Sequence, residues 1–227
     1  IYASDTLGVN LLTVSTLLLA SKAVDAVTDM VAGVIVDNTH TKFGKGRPYE
    51  LSIIGMTICT ILLFAGNPAW SNVVKCAWIF CMYTLTFSIF ATLRNAAANP
   101  YTIRTFSNNP VLLKKVSSYG GIITMAGSIV MSTLFPILMA KMATSAAGWT
   151  RMVAIIMIPA TVIGLGRFIF CKEDPAVDAE SKQEPIRLKE LSELLRRNKY
   201  VWLYGLIMLC YLSLIHISEP TRQAEIS

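Results

Sequence analysis

The sequence has 227 residues, of which 54% are hydrophobic and only 15% are charged. The hydrophobic residues form long runs rather than the alternating pattern of strands, which excludes an ordinary soluble domain and disfavours a membrane β-barrel. A net charge of +6 is compatible with nucleic-acid binding in a soluble protein. Beside such runs it is typical of basic loops on one side of a membrane, so we expect a lipid bilayer and no nucleic acid as partner.

Six apolar segments have about the length that crosses a bilayer as a helix, near 20 residues, although the second is short. They cover residues 9–36, 51–64, 73–90, 116–140, 152–171 and 200–217. The chain is therefore predicted to be an all-α, multi-pass membrane protein. We expect one helical bundle over 1–171, a connector with an amphipathic helix over 172–199, and the start of a further span over 200–214.

The joints between these segments predict the orientation of the chain. Residues 37–50, 94–115 and 172–199 together hold 14 Lys and Arg, whereas the three joints of the opposite side hold three. By the positive-inside rule the basic joints are cytoplasmic and the chain lies in the cell membrane. This places Ile1 outside, so we expect one further span before it. Residues 213–227 lack any pattern and resemble translated sequencing-adapter read-through, which predicts a non-native tail.

The first apolar segment contains three charged residues, Lys22, Asp25 and Asp29, which share one helix face. Each costs roughly 2.5–3.5 kcal/mol in the middle of a span, so the three must face a polar interior, pair, or hold an ion. Two neighbouring carboxylates can bind Na⁺ or Li⁺ through their oxygens or can share a proton, and Thr28 can add an oxygen. The alternative is a structural ion pair between Lys22 and Asp25, which leaves Asp29 unpaired.

Residues 22–49 carry a more specific signal, the string KAVDAVTDMVAGVIVDNTHTKFGKGRPY. The string resembles the second helix and following loop of the glycoside–pentoside–hexuronide:cation symporters, the melibiose-permease branch of the major facilitator superfamily. The shared pattern is D-x-x-x-D, a glycine four residues later, D-N-T, and G-x-x-R/K-P-Y/W. The resemblance implies a major facilitator helical bundle of twelve spans, of which this sequence holds spans two to six and the start of span seven. It also implies that Asp25 and Asp29 bind the coupling cation, with Thr28 beside them.

The resemblance extends to three residues further along the chain. The fourth helix of the family gives a threonine to the cation site and, three residues later, an aspartate to the sugar. Thr92 matches the threonine, but Asn95 replaces the aspartate; its amide can still exchange hydrogen bonds with sugar hydroxyls. Lys115 is near the place of a basic residue close to the sugar. The alternatives are ordinary helix packing for Thr92 and Asn95 and an interfacial lysine for Lys115.

The loop Asp37–Tyr49 is predicted to be a cytoplasmic gate. Its glycines allow a tight turn, and its basic side chains can pair with acidic residues of the other half when that side closes. Positive charge that only sets the topology is the alternative. The candidate gate residues are Asp37, Lys42, Gly44, Lys45 and Arg47.

The predicted function is cation-coupled symport, driven by Na⁺ or H⁺, of a glycoside, pentoside or hexuronide. The expected partners are a small sugar or glycoside and a monovalent cation, with no cofactor besides that ion. No catalytic motif is visible, so the chain is not expected to be an enzyme. The alternatives are a lysolipid:Na⁺ symporter of the wider family, which the replacement at Asn95 keeps open, and a non-transporting membrane sensor of similar fold.

Overall fold

The computed structural model describes residues 1–106, 109–173, 196–200, 202–208 and 210. The chain divides into two compact units, Ile1–Glu184 and Pro185–Ser227. In the second unit residues 202–208 are helical, within the last predicted apolar segment. Most of the predicted connector and the whole predicted non-native tail lie outside the described residues.

The first unit is built from helices. Their bounds are α1 Leu11–Asp37, α2 Ser52–Leu63, α3 Asn72–Thr84, α4 Thr92–Phe106, α5 Pro110–Met142 and α6 Ala146–Phe170. A π-helical segment, Leu85–Ala91, joins α3 to α4, so that Asn72–Phe106 is one continuous helix of 35 residues. This helix and α1, α5 and α6 are long and apolar enough to cross a membrane.

The second predicted span, 51–64, corresponds to α2 and is lengthened at its start by a short helical turn. A 3₁₀ turn of five residues, Arg47–Leu51, leads directly into the 12 residues of α2. At about 2.0 Å per residue for 3₁₀ and about 1.5 Å for α-helix, the two together extend about 28 Å. That length nearly matches a hydrocarbon core of about 30 Å.

The third predicted span, 73–90, ends too early, and the predicted joint 94–115 is mostly helix. The chain stays helical to Phe106 and resumes a helix at Pro110. Arg94 was expected to mark the membrane surface, but its guanidinium pairs with the carboxylate of Glu50, with 3.2 Å between Nε and Oε2. Because the charge is paired and alanines follow it at 96–98, the helix continues through this stretch.

At the two opposite ends of the first unit, the segments that connect the helices are held together by different contacts. At one end the ring of Tyr2 packs on those of Phe64 and Trp149, with centroids 4.9 and 5.6 Å away, and its hydroxyl accepts a hydrogen bond from Gly66 N–H at 3.0 Å. At the other end the backbone N–H of Lys45 donates to Glu173 at 3.0 Å. Two of the predicted cytoplasmic joints therefore lie side by side.

Candidate functional site

The two aspartates on the charged face of α1 have different partners: Asp25 pairs with Lys22, and Asp29 with Thr92. Lys22 Nζ lies 2.7 Å from Asp25 Oδ2, with 59% of the lysine side chain and 16% of the aspartate side chain exposed. The other oxygen of Asp25, Oδ1, is buried and has no hydrogen-bond partner among the described residues. The Lys22–Asp25 ion pair expected as an alternative thus forms, but it uses only half of the carboxylate.

Asp29 contacts the neighbouring helix rather than Lys22. Its Oδ1 accepts a hydrogen bond from the hydroxyl of Thr92, the first residue of α4, at 3.0 Å. The same hydroxyl is 3.2 Å from the carbonyl oxygen of Phe87 in the π-helical segment. With one proton for two acceptors, the Thr92 hydroxyl can release Asp29 without losing a partner. The structure therefore joins Asp29 and Thr92, which the sequence assigned to one site.

Thr28 directs its hydroxyl proton to its own helix. The acceptors are the carbonyl oxygens of Val24 and Asp25, both at 3.1 Å. A hydroxyl used this way keeps a lone pair for another partner. Thr28 also lines a cavity of about 90 Å³ between α1 and the helix Asn72–Phe106, and Ser88 and Thr92 are the other two hydroxyl residues of that lining.

Three hydroxyl residues of this region were missed by the sequence analysis: Ser21, Thr84 and Ser88. Ser21 and Ser88 are fully buried, and their hydroxyl oxygens are 3.4 Å apart. Thr84 donates to the Ser21 hydroxyl at 3.1 Å. Their spacing in the sequence could have indicated that they face the charged residues. Ser21 precedes Asp25 by four residues, so the two lie on one face of α1. Thr84, Ser88 and Thr92 recur every four residues within an apolar run.

The π-helical segment explains how these hydroxyls reach α1. Seven residues, Leu85–Ala91, lie between two α-helical stretches of one continuous helix. The wider turn changes the direction in which side chains leave the helix, and the Phe87 carbonyl accepts both the backbone N–H and the hydroxyl of Thr92. Such segments occur frequently at functional sites.

The predicted substrate residues lie apart from this cluster. Asn95 is exposed on α4, one turn after Thr92, and Lys115 is exposed near the start of α5. Within the described part of the chain, no residue of α5 is buried. The structure thus brings together Asp29 and Thr92, sets Asp25 and Thr28 beside them, and leaves Asn95 and Lys115 with open surroundings.

The predicted gate loop is held by contacts within the first unit. The carboxylate of Glu173 accepts hydrogen bonds from three consecutive backbone N–H groups, those of Lys45, Gly46 and Arg47, at 3.0, 2.8 and 2.5 Å. Gly44 has φ +104°, and a Cβ there would come within 2.5 Å of the Glu173 carboxyl carbon. The glycine is therefore required both by the turn and by the bound carboxylate.

The basic side chains of this loop differ in their surroundings. Arg47 donates to the Phe168 carbonyl at 2.8 Å and stacks 4.8 Å from the Phe168 ring centroid. Lys45 is buried, whereas Lys42 and Asp37, the last residue of α1, are exposed. Pairing of these residues with acidic groups of another half stays a prediction.

A charge cluster that sequence reasoning missed lies beside this loop. Glu50 is buried, with one carboxylate oxygen 3.2 Å from Arg94 Nε and the other 3.3 Å from Arg167 Nη1. Arg167 also donates to the Thr102 hydroxyl at 2.6 Å. Little in the amino-acid pattern indicates this cluster, because Glu50 and Arg94 each look like a charge at a membrane surface.

Taken as chemistry, the face between α1 and α4 is a group of oxygen donors. It combines the carboxylates of Asp25 and Asp29 with five hydroxyls, and the Lys22 ammonium lies beside Asp25. One buried carboxylate oxygen has no hydrogen-bond partner among the described residues. Hard monovalent and divalent cations prefer such oxygens. A carboxylate can also take up a proton in place of a metal cation.

Comparison with known proteins gives a consistent result. A family model described as MFS/sugar transport protein matches residues 1–217. An isoprimeverose transporter of Lactiplantibacillus pentosus is 27% identical over 206 residues, which cover 87% of this chain and 41% of that protein. The uncharacterized symporter YnaJ of Bacillus subtilis is 25% identical over 205 residues, which cover 87% of this chain and 43% of that protein.

A shorter match points in the same direction. The glucuronide carrier protein homolog of Escherichia coli is 32% identical over 83 residues, which cover 36% of this chain and 18% of that protein. The chain spans about two fifths of the length of the isoprimeverose transporter and of YnaJ. With nearly all of its residues matched by the family model and its long apolar helices in place, the chain is a multi-pass membrane protein that belongs to the MFS/sugar transport family.

Proposed function

We propose that the protein is a symporter that couples the entry of Na⁺ or H⁺ to the uptake of a glycoside, pentoside or hexuronide. The observation that carries the proposal is the buried, unpartnered Asp25 Oδ1 next to the Asp29–Thr92 contact. The relatives, which include an isoprimeverose transporter and a glucuronide carrier homolog, support a sugar as the substrate.

The energetics of Asp25 favour a bound ion. A buried carboxylate oxygen without a hydrogen bond costs about 1–3 kcal/mol or more, because it has lost water and gained nothing. Lys22 offsets the charge, but its ammonium reaches Oδ2 and not Oδ1. A cation or a proton on Oδ1 removes this cost, and the gain is realised only in the conformation that has the site.

The position of the site explains how an ion can act on the substrate. Asp25 and Asp29 belong to α1, whereas Thr92 belongs to α4, whose next turn carries Asn95. An ion held between the two helices fixes α4 against α1 and so places Asn95. If the ion raises the affinity for the sugar, the sugar raises the affinity for the ion by the same factor, which is the thermodynamic basis of coupling.

The test is uptake by the full-length protein in proteoliposomes. A panel of glycosides, pentosides, hexuronides and one lysolipid is offered with a Na⁺ gradient, a pH gradient or neither. For the driven substrate, Asp25→Asn and Asp29→Asn should each lower ion-driven uptake at least about tenfold, because each removes the charge while keeping the volume. Asp5→Asn, an exposed aspartate in the segment before α1, is the matched control and should keep wild-type uptake.

Two results would contradict the proposal. Uptake that needs no ion gradient, or that survives in both aspartate variants, would make Asp25 and Asp29 structural residues. Ion-driven uptake of the lysolipid in place of every sugar would retain the cation site and reject the sugar.

A further inference from the structure

We propose that Glu173 is a conformational latch: its carboxylate holds loop residues 45–47 against the end of α6, so that the loop is already ordered when the cytoplasmic side of the protein closes. The latch is the set of hydrogen bonds between this carboxylate and three backbone N–H groups of the loop. It adds to the proposed function a residue outside the ion and sugar sites. Its effect on transport rests on that proposed function, whereas its effect on the loop does not.

Both carboxylate oxygens of Glu173 bind the loop. Oε2 accepts a hydrogen bond from the backbone N–H of Lys45 at 3.0 Å, and Oε1 accepts from those of Gly46 and Arg47 at 2.8 and 2.5 Å. Hydrogen bonds to an ionised group are roughly twice as strong as those between neutral groups. Three consecutive N–H groups of the loop therefore have a strong acceptor in a residue that follows them by 126 to 128 positions.

A second contact fastens the same loop to the last turn of α6. The Arg47 side chain donates from Nε to the Phe168 carbonyl oxygen at 2.8 Å, and its guanidinium lies 4.8 Å from the Phe168 ring centroid. Because α6 ends at Phe170, Phe168 and Glu173 lie on either side of the helix end. The loop is thus held both by the helix and by the chain that leaves it.

The short stretch between α6 and Glu173 is in turn held by α4. The hydroxyl of Tyr101, a residue of α4 with 1% exposure, donates to the Cys171 carbonyl oxygen at 2.6 Å. The same side chain packs against Gly46, where a Cβ would be 2.6 Å from Tyr101 Cβ. Tyr101 therefore contacts both sides of the latch, and the Glu173 carboxylate reaches the loop from a backbone that has little freedom left to lose.

An ordered loop favours fast closing of the cytoplasmic side. A flexible loop has to be ordered at every closure, and the entropy lost in ordering it opposes that step. The contacts of Glu173 and Arg47 lie within the first unit, so they order the loop before the other half approaches. Loop closure of this kind sets the turnover rate of many enzymes. Because Asp25, Asp29 and Thr92 are not part of the latch, we expect it to act on the rate of transport and not on sugar affinity.

The first measurement is cleavage of the loop by trypsin in the purified full-length protein. Trypsin does not cut before proline, so the Arg47–Pro48 bond resists it, and Lys42→Gln in every variant leaves the Lys45–Gly46 bond as the cleavage site of this loop. Lys45 is buried, and the N–H of this bond donates to Glu173. Its cleavage therefore follows the population in which the latch is open, and mass spectrometry counts the product that begins at Gly46.

Three variants are compared. Glu173→Gln keeps the volume but removes the charge, Glu173→Asp keeps the charge but shortens the side chain, and Lys172→Gln changes an exposed neighbour. Glu173→Gln should speed cleavage about tenfold or more, the factor expected for the loss of one hydrogen bond to a charged group. Glu173→Asp should give a smaller increase, and Lys172→Gln should match the wild type. Cleavage after Lys75, a buried lysine of α3, reports unfolding of the whole unit and should not change.

The second measurement is sugar uptake in proteoliposomes by the same three variants with Lys42 restored. Glu173→Gln should lower the maximal rate by about threefold or more, because the loop then has to be ordered during each closure. Glu173→Asp should recover part of the rate, and Lys172→Gln should keep all of it. Equilibrium binding of the sugar to purified Glu173→Gln should stay within about twofold of wild type, which separates a slower closing step from a damaged binding site.

Four results would overturn the inference. Loop cleavage in Glu173→Gln within about twofold of wild type would show that the carboxylate does not hold the loop. An equal increase after Lys75 would make Glu173 a general stabilising residue. A full maximal rate despite faster loop cleavage, or a loss of sugar binding in step with the loss of uptake, would reject its role in closing.

Failure of the proposed function gives a different result. A wild type that shows no ion-driven uptake of any sugar would reject symport. The trypsin comparison needs neither ion nor sugar, so it would still decide whether Glu173 holds the loop.

Discussion

Gly46 lies where the loop before α2 crosses α4, and the two backbones nearly touch. A Cβ at this position would be 2.6 Å from Tyr101 Cβ and 3.1 Å from Tyr101 Cα. The neighbouring atoms belong to the backbone and its first side-chain carbon, so they cannot turn aside as the end of a long side chain can. The absence of a side chain at Gly46 is therefore what allows the loop to receive the Glu173 carboxylate.

We predict that Gly46→Ala destabilises the protein by about 1–3 kcal/mol, the usual cost of forcing extra volume into a packed contact. The measurement is the thermal unfolding temperature of the purified full-length protein in detergent. Gly120→Ala is the matched control, because a Cβ at Gly120 meets nothing within 4 Å. Equal unfolding temperatures for the two variants would show that the loop moves away from α4 at little cost.

At the scale of elements, Glu50 is the contact that three helices share. It sits in the 3₁₀ turn before α2 and pairs with Arg94 of α4 and Arg167 of α6. Its own side chain is 3% exposed, whereas the two arginines are 30% and 34% exposed. Loss of the carboxylate leaves two facing guanidinium groups without their shared anion.

We predict that Glu50→Gln lowers the free energy of unfolding by about 2–3 kcal/mol. Removing one partner of a fully buried pair costs about 3–5 kcal/mol, and the partial exposure of both arginines reduces this. Arg94→Gln in the same background should restore part of the loss, because it removes the repulsion. Unfolding temperatures of the single and double variants check this, with Asp37→Asn at the exposed end of α1 as the neutral control. Additive losses would show that the cluster does not act as a unit.

The sequence predicted the helices and their polar faces where charged residues interrupt a long apolar run. The charged face of α1 was found because Lys22, Asp25 and Asp29 are conspicuous in an apolar run. The extension of the third span to Phe106 was not, because Arg94 looks like a boundary until its partner Glu50, distant in sequence, is known. Ser88 was missed for a related reason: a serine among apolar residues has no visible role until the π-helical segment sets it against α1.

At the scale of the whole molecule, the joints divide into two groups on opposite ends of the helices. Loop residues 45–47 and Glu173 meet at one end, and Tyr2, Gly66 and Trp149 meet at the other. The described parts of the basic joints 37–50 and 172–173 meet at the first end, which the positive-inside rule assigns to the cytoplasm. The fold thus supports the alternation of joints that the sequence predicted, while the assignment of each end to a side of the membrane is a prediction.

We predict that cysteines placed at the two ends label from opposite sides. Lys42→Cys and Ala69→Cys, both at exposed positions, are introduced singly into a full-length variant without its native cysteines. A membrane-impermeant maleimide added to intact cells should label Ala69→Cys and leave Lys42→Cys unlabelled until the cells are opened, because the basic loop is cytoplasmic. Labelling of both, or of Lys42→Cys alone, in intact cells would reverse or reject the orientation.

The Lys22–Asp25 pair gives the proposed site a built-in competitor. Lys22 lies on the same helix as Asp25, so its ammonium competes with an incoming ion for the carboxylate at a high effective concentration. This competition weakens ion binding without blocking it. With 59% of the lysine side chain exposed, moving it into water costs little. In the proposed symport cycle this competition would favour release of the ion, which has to leave the site once in every cycle.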